Sequence, residues 1–498
     1  MRFARKNEIL VPDRLLDDSQ LTQTIAELDQ LPHPPRNPQF QINPEIRTLL
    51  IGKQLLLDEI PHSLEEIQLH YENGYIALRK GMVHSKSRPQ CQRCGNNDPH
   101  WFATFPCSRC QKRCTYCRKC IMMGRVSTCT PLYSWVDAEG GEIPAATKLE
   151  WKGTLSPGQQ LASDEVVQAI SRNEDTLIWA VCGAGKTEVL FEGIHSALSQ
   201  QKRVCIATPR TDVVLELAPR LQAVFPKIDV ASLYGGSEDR HKCSPLTIST
   251  THQLFRFYQA FDTMIVDEVD AFPYSMDETL QFAVQNARKP NSSMIYLTAT
   301  PNTQWQKDCR LGKRNYVTIP ARYHRHPLPV PRFEWCGNWD KALKQGKLPK
   351  NVMKWLKQRL ATEKQALFFI PRIDLIPKIL SILRQLDPRI EAVHAEDPER
   401  KTKVQFMRDK KIPILVTTTI LERGVTFPNL DVAILGSEEQ IFTESALVQI
   451  AGRVGRSAQF PTGDIRFFHN GQTEAMNLAR KQIHSMNKEA AKKGLIDT

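Results

Sequence analysis

Nowhere in this 498-residue chain do eighteen apolar residues run together, so the sequence offers no helix able to cross a membrane. Residues 1–30 lack the apolar core that a secretory signal needs. The expected compartment is the cytoplasm, from which the chain could still dock on a membrane complex. A reducing compartment excludes a disulfide framework, although there are thirteen cysteines. Acids are almost missing from one stretch: residues 79–125 hold eleven Lys and Arg against the single acid Asp98. The net charge of +12 is therefore mostly local, and such a basic patch is a footprint for a phosphate backbone. The overall composition, 41% hydrophobic and 24% charged, is that of a globular protein long enough for about three domains.

The chain is organised around Leu177–Leu190, read L-I-W-A-V-C-G-A-G-K-T-E-V-L. Leu177–Val181 is an unbroken apolar run suited to a strand buried on both faces, and Glu188–Leu198 has helical spacing. Between them, Gly183 and Gly185 let backbone N–H groups wrap a triphosphate at the positive end of a helix. The eight residues Ala180, Val181, Cys182, Gly183, Ala184, Gly185, Lys186 and Thr187 follow the P-loop pattern, with Ala180 in place of the usual first glycine. Lys186 is expected to reach the β- and γ-phosphates of ATP, and the Thr187 hydroxyl to hold Mg²⁺.

Asp267-Glu268-Val269-Asp270 follows the buried run Met264–Val266, eighty-one residues after Lys186. That places two carboxylates at the carboxyl end of a strand, where ligands bind in parallel sheets. Asp267 is expected to hold Mg²⁺ through water, and Glu268 to orient and deprotonate the attacking water. Gln449–Arg456, Q-I-A-G-R-V-G-R, lies in a second half of the chain and supplies cations for the γ-phosphate, with Arg453 and Arg456 as candidate arginine fingers.

Eight of the thirteen cysteines fall between Cys91 and Cys129, which points to metal. Two C-x-x-C knuckles facing each other make a tetrahedral thiolate site, and Cys91, Cys94, Cys117 and Cys120 are the first-choice Zn²⁺ ligands. Pairing Cys91 and Cys94 with Cys107 and Cys110 has acceptable spacing too. The first choice leaves over Cys107, Cys110, Cys114 and Cys129, and a second site stays open. Each zinc on four thiolates subtracts two charges, leaving residues 79–125 near +8 with one site or +6 with two, so the basic patch survives. Trp101, Phe102 and Phe105 lie between the knuckles and offer stacking faces. The ribbon is expected to fold around its metal, apart from a core that has its own sheets. Cys182, Cys205, Cys243, Cys309 and Cys336 read as buried reduced thiols.

Along the chain, residues 1–80 read as an accessory region, with a proline-rich stretch Leu31–Pro38, a capping box at Ser63–Glu66 and a turn at Asn73-Gly74 before Tyr75–Leu78. A cysteine-rich region follows over 81–130. From Trp151 the order strand, loop, helix repeats, with strands at Val204–Ala207, Leu246–Ser249, Met264–Val266 and Met294–Leu297. Pro327, Pro329 and Pro331 stiffen an expected linker over 321–350. The alternation resumes at Ala366–Ile370, Ile390–Val393, Ile414–Val416 and Val432–Leu435. The domain boundaries expected are 131–320 for an ATP-binding domain, 351–480 for a second domain and 481–498 for a tail.

The set L-S-P-G-Q-Q-L-A at Leu155, the phosphate loop, T-P-R at Thr208, D-E-V-D, T-A-T at Thr298, T-T-T-I-L-E-R-G-V-T at Thr417 and Q-I-A-G-R-V-G-R resembles a superfamily 2 helicase core. With C-x-x-C-G, Y-C-R-K-C-I-M-M-G-R and P-L-Y-S-W upstream, the chain resembles the ComFA family, ATPases of bacterial natural transformation. The resemblance implies an α/β fold of two tandem RecA-like parallel-sheet domains with an N-terminal zinc ribbon region. It implies a DNA-dependent ATPase that translocates on single-stranded DNA during DNA uptake, using ATP, Mg²⁺ and Zn²⁺. The implied partners are single-stranded DNA and competence DNA-uptake proteins including a membrane channel, at the inner face of the cell membrane, with room for an oligomer. Carried over residue by residue, Gln159 would read adenine, while Thr208, Arg210, Thr250, Thr251 and Thr417–Thr419 would touch the DNA backbone. Thr298 and Thr300 would couple the two. Thr426 departs from the acidic residue that many members carry there. A replication-restart duplex helicase and a nucleotide-switched scaffold are the competing readings.

Overall fold

Each apolar run singled out after Trp151 forms a strand of a parallel sheet in the computed structural model, which describes residues 1–17, 20–85, 88–137, 143, 147–421 and 427–497. Across the first sheet the strands run Val230–Leu233, Leu246–Thr250, Val204–Thr208, Phe261–Val266, Arg288–Thr298, Asp175–Ala180, Tyr316–Ile319. The second sheet runs Arg332–Trp335, Ile465–His469, Leu430–Leu435, Gln365–Phe369, Ile414–Thr417, Glu391–Val393, with every pair parallel. Its strands alternate between two apolar layers. Leu367, Phe369, Leu415, Val432 and Ile434 pack on one side, and Ala366, Phe368, Ile414, Val416 and Leu435 on the other. Both faces are buried, which is why these strands read as continuous apolar runs.

The strands that sequence reading passed over lie mostly at sheet edges. Tyr316–Ile319 ends the first sheet with only Ile319 fully buried, and Val230–Leu233 ends it on the other side with every second residue buried. The expected linker 321–350 carries the strand Arg332–Trp335, paired with Ile465–His469, and the helix Trp339–Lys344. The expected tail carries most of the helix Glu474–Lys492.

By contacts the chain forms two compact units. One comprises Met1–Gly153, Asp164–Thr176 and Leu190–Tyr296; the other comprises Thr154–Ser163, Leu177–Val189 and Leu297–Thr498. In the first unit the N-terminal region has an apolar core of its own, built from Phe3, Leu10, Ile46, Leu50, Tyr71 and Trp135 among others. The helix Leu64–Glu72 starts where the capping box placed it, with the Ser63 hydroxyl accepting from the Glu66 N–H at 3.1 Å. The antiparallel strands Ile76–Lys80 and Pro131–Trp135 pair from Ile76↔Trp135 to Lys80↔Pro131, so the cysteine-rich segment leaves and returns at one point of this region.

Candidate nucleotide site and metal centre

The phosphate loop leaves the carboxyl end of Asp175–Ala180, held there by the Val181 N–H donating to the Ile319 carbonyl at 3.0 Å. A helix opens at Lys186, two residues before the sequence expectation. It ends at Val189 and restarts as Phe191–Ser199. Lys186 and Thr187 thus occupy the first turn, where the helix dipole favours a phosphate. Gly185 has φ +70, and a Cβ there would meet the Gln159 amide nitrogen at 2.4 Å. The Gln159 side chain is 3% exposed, donates to the Ala184 carbonyl at 2.8 Å and accepts from the Ser156 N–H at 2.8 Å. In this structure the Gln159 amide nitrogen therefore braces the loop while its oxygen is tied to Ser156. The loop's shape, its helix N-terminus and its lysine fit the triphosphate that the sequence motif predicts.

The same unit brings the Q-I-A-G-R-V-G-R turn against this loop. The Cys182 thiol, read as a plain buried thiol, donates to the Gln449 side-chain oxygen at 3.0 Å. Gly452 permits the approach, since a Cβ there would come within 2.5 Å of the Cys182 Cβ. Arg453 is 2% exposed, and the Arg456 guanidinium donates through Nε to the Gly452 carbonyl at 2.9 Å. The helix Glu444–Ala451 before this turn is capped by Thr443, and Ser445 on it is 2.8 Å from the Thr300 hydroxyl of T-A-T.

Sequence reading missed Arg322, which lies in the expected linker. It is 2% exposed and donates to the Cys182 carbonyl at 3.0 Å, the Gly452 carbonyl at 3.0 Å and the Val454 carbonyl at 2.7 Å, with a further bond to the Gly455 carbonyl. One guanidinium fork thus ties the phosphate loop to the arginine-bearing turn. Its acceptors are all carbonyls, and burial pulls its pKa down to about 10, with the charge of Arg456 acting in the same direction. It stays charged at neutral pH. The available signal was an arginine three residues past the end of a sheet strand, but the prolines downstream pointed to a linker.

In the first unit, Asp267 and Glu268 follow the carboxyl end of Phe261–Val266. The Asp267 N–H donates to the Ala207 carbonyl at 2.8 Å, and the Asp267 carboxylate accepts from the Glu268 N–H at 2.8 Å. Glu268 has φ +54, a strained conformation for a side chain of this size, of the kind found where function over-determines the backbone. The residues assigned to DNA are mostly interior. Thr208, Thr251 and Thr417 are 0% exposed, and Arg210 grips Asp212 through two bonds of 3.0 and 2.7 Å. Glu422–Thr426, including the departure at Thr426, lie outside the described residues.

The cysteines sort into two clusters. Cys91, Cys94, Cys117 and Cys120 are all buried, with their sulfurs within 4.8 Å of one another. Cys107 and Cys110 close instead with Cys114 and Cys129, so the alternative pairing is not the arrangement found. In the first cluster the Cys91–Cys120 and Cys94–Cys117 sulfurs are 3.8 and 3.6 Å apart. Zn–S bonds of about 2.3 Å in a tetrahedron require S···S distances of about 3.8 Å, so this donor set fits zinc. Arg93, between the first two cysteines, is 0% exposed, donates to the Met123 carbonyl beyond the second knuckle and lies 3.5 Å from the Glu59 carboxylate.

The ribbon is not a free-standing basic module. Lys119 pairs with Asp277 at 3.3 Å, the residue that caps the helix Glu278–Ala287, and Phe282 on that helix packs where a Gly95 Cβ would be only 2.5 Å away. Arg109 pairs with Asp58 at 2.7 Å, and Lys112 pairs with Glu27, whose pKa falls to about 2 chiefly through that bond. Much of the patch is therefore discharged by acids outside residues 79–125. Trp101 remains 42% exposed, with the Lys119 ammonium 4.7 Å from its ring centre.

Comparison with known proteins accords with this arrangement. The family profile described as Competence protein ComFA N-terminal domain matches residues 38–134, Type III restriction enzyme, res subunit, matches 152–303, and Helicase conserved C-terminal domain matches 348–458. Competence protein ComFA of Bacillus subtilis is 51% identical over 448 residues, covering 90% of this chain and 96% of that protein. Its counterpart in Streptococcus pneumoniae is 38% identical over 438 residues, covering 87% and 99%. Among solved structures, a point variant of S. cerevisiae Dbp5 bound to RNA and ADP BeF3 aligns with TM-score 0.50 at 15% identity, over 71% of this chain and 100% of that one. Mss116p bound to ssRNA and AMP-PNP aligns with TM-score 0.50 at 19% identity, over 68% and 73%. At such identities these last two show a shared fold of paired RecA-like domains. The chain belongs to the ComFA family of competence proteins and is a superfamily 2 helicase-like ATPase.

Proposed function

We propose that this ATPase translocates on single-stranded DNA and assists its entry during natural transformation, working from the cytoplasmic side with uptake proteins that include a membrane channel. The observation that carries the reading is the Arg322 fork, together with the Cys182–Gln449 bond. They fix the phosphate loop and the arginine-bearing turn to each other, so that a change at the nucleotide reaches the helix Glu444–Ala451 and, through Ser445, the T-A-T segment. A scaffold that used nucleotide only as a shape switch would not need this together with a strained acid.

In this reading Lys186 would contact the β- and γ-phosphates of ATP, and Thr187 and Asp267 are the residues that would hold Mg²⁺, which would neutralise charge on the phosphates. Glu268 orients the attacking water and takes its proton. Arg453 and Arg456 stabilise the charge that spreads over the γ-phosphate oxygens. Gln159 contributes to adenine recognition from its position under the loop. ATP turnover by the purified chain, measured with and without single-stranded DNA, tests the motor: a motor is stimulated by DNA, whereas a scaffold shows the same rate in both. Lys186→Ala should weaken nucleotide binding, and Glu268→Gln should keep ATP bound but uncut. Wild-type turnover in either variant would sink the site assignment.

A further inference from the structure

The four cysteines left over by the first ligand set are the most concentrated unexplained chemistry in the molecule. We propose that Cys107, Cys110, Cys114 and Cys129 hold a second Zn²⁺, making the ribbon a two-metal module whose sites interlock. All four are buried, with exposures of 6, 0, 2 and 2%, and their sulfurs lie within 4.8 Å of one another. The Cys107–Cys129 sulfurs are 3.7 Å apart, at the tetrahedral edge of about 3.8 Å that Zn–thiolate bonds impose, and the Cys110–Cys114 sulfurs, at 3.2 Å, lie inside it. The backbone already forms a knuckle there, the Gln111 N–H donating to the Cys107 carbonyl at 2.8 Å and the Cys107 N–H to the Lys112 carbonyl at 2.9 Å.

Packing supplies an independent argument. The cluster forms its own small core, and Phe105 is the single apolar side chain packed against it among the described residues. Four thiols and one ring cannot offset the entropy of ordering the hairpin Phe102–Pro106/Arg113–Cys117, so a metal must contribute. An S₄ tetrahedron suits zinc or an iron–sulfur centre. Zinc is the choice here, as for the neighbouring cluster of the same chemistry.

The ligand order carries the rest. Reading along the chain, two ligands serve the first site, three the second, two the first and one the second. Cys114 and Cys117 share the strand Arg113–Cys117, three positions apart and therefore on opposite faces, with Cα atoms about 10 Å from each other. One strand is thus clamped from both sides, and losing the second metal frees an element that the first one needs. The proposal does not rest on the motor reading, since it concerns metal content and not turnover.

The test is zinc stoichiometry by elemental analysis and native mass spectrometry on the full chain. Two zincs per wild-type chain are expected, one in the Cys107→Ser/Cys129→Ser variant, and faster chelator release of that remaining zinc than of the first-site zinc in wild type. Alkylation of native wild-type protein decides the matter even where the variant misfolds. Cys107, Cys110, Cys114 and Cys129 should resist modification until a chelator is added. A single zinc in wild type, stoichiometric iron and sulfide, or ready alkylation of these four without chelator would overturn the proposal.

Discussion

Two side chains, Glu268 and Arg322, are held in place by opposite means. Glu268 sits at φ +54 next to an aspartate that accepts its N–H, so the backbone strain is tied to the acid's position. Such strain costs about 1–3 kcal/mol and is retained where geometry matters more than stability. Glu268→Gln keeps the size and the strain, so its melting temperature should match wild type while hydrolysis is lost, as scanning calorimetry and a phosphate-release assay would show. Arg322 works by satisfaction: four carbonyls on two segments share its fork. Arg322→Ala leaves the Cys182 and Val454 carbonyls buried without that donor, at about 1–3 kcal/mol each, while Gly452 keeps Arg456 and Gly455 keeps the His324 ring, and should destabilise the protein. Arg322→Lys is the informative variant, because it keeps the charge but cannot span the acceptors. We expect it to fold, to bind ATP with KM within a few-fold of wild type, and to lose at least about tenfold in kcat, near 1.4 kcal/mol. A KM effect alone would mean that Arg322 only shapes the pocket.

At the scale of elements, the ribbon shows what a sequence displays and what it hides. Its cysteine spacing was legible because metal geometry dictates it. The interior strands were legible for a similar reason: Leu430–Leu435 and Gln365–Phe369 are buried on both faces and have to read as apolar runs. Edge strands such as Tyr316–Ile319 escape that rule, and so did Arg322, whose role depends on carbonyls 130 and more positions away. The partners of the basic patch were equally hidden, since Glu27, Asp58 and Asp277 lie far from 79–125 in sequence. These pairings bear on two predictions. Neutralising Arg88 or Arg118, which are exposed and show no acidic partner among the described residues, should lower the salt dependence of single-stranded DNA binding by about 0.7 in slope per cation. Neutralising Arg109 or Lys112 should lower it less, a difference that fluorescence anisotropy across a salt series would resolve. Cys91→Ser should also do more than unfold a ribbon: with Gly95 against Phe282 and Lys119 on the Asp277 cap, the melting temperature of the first unit should fall with it.

For the molecule as a whole, the question is whether the motor merely moves along a strand or also splits a duplex. Splitting needs a rigid wedge, such as an inserted hairpin, placed where the strands part. The second sheet leaves little chain for one. Between the loop after Ile414–Thr417 and Gln449, the described residues hold the strand Leu430–Leu435 and the start of the helix Glu444–Ala451. The N-terminal part offers stacking faces instead, with Trp101 exposed on the ribbon. Stacking on an aromatic ring suits single strands of any sequence. We therefore expect DNA-stimulated hydrolysis and movement along single strands, with poor unwinding of plain duplex by the isolated chain. The measurement is strand displacement from a long blunt duplex, run beside a triplex- or streptavidin-displacement assay that reports translocation alone. Displacement of the blocking group without strand separation fits an uptake motor, whereas efficient unwinding by the purified chain would favour a restart-type helicase.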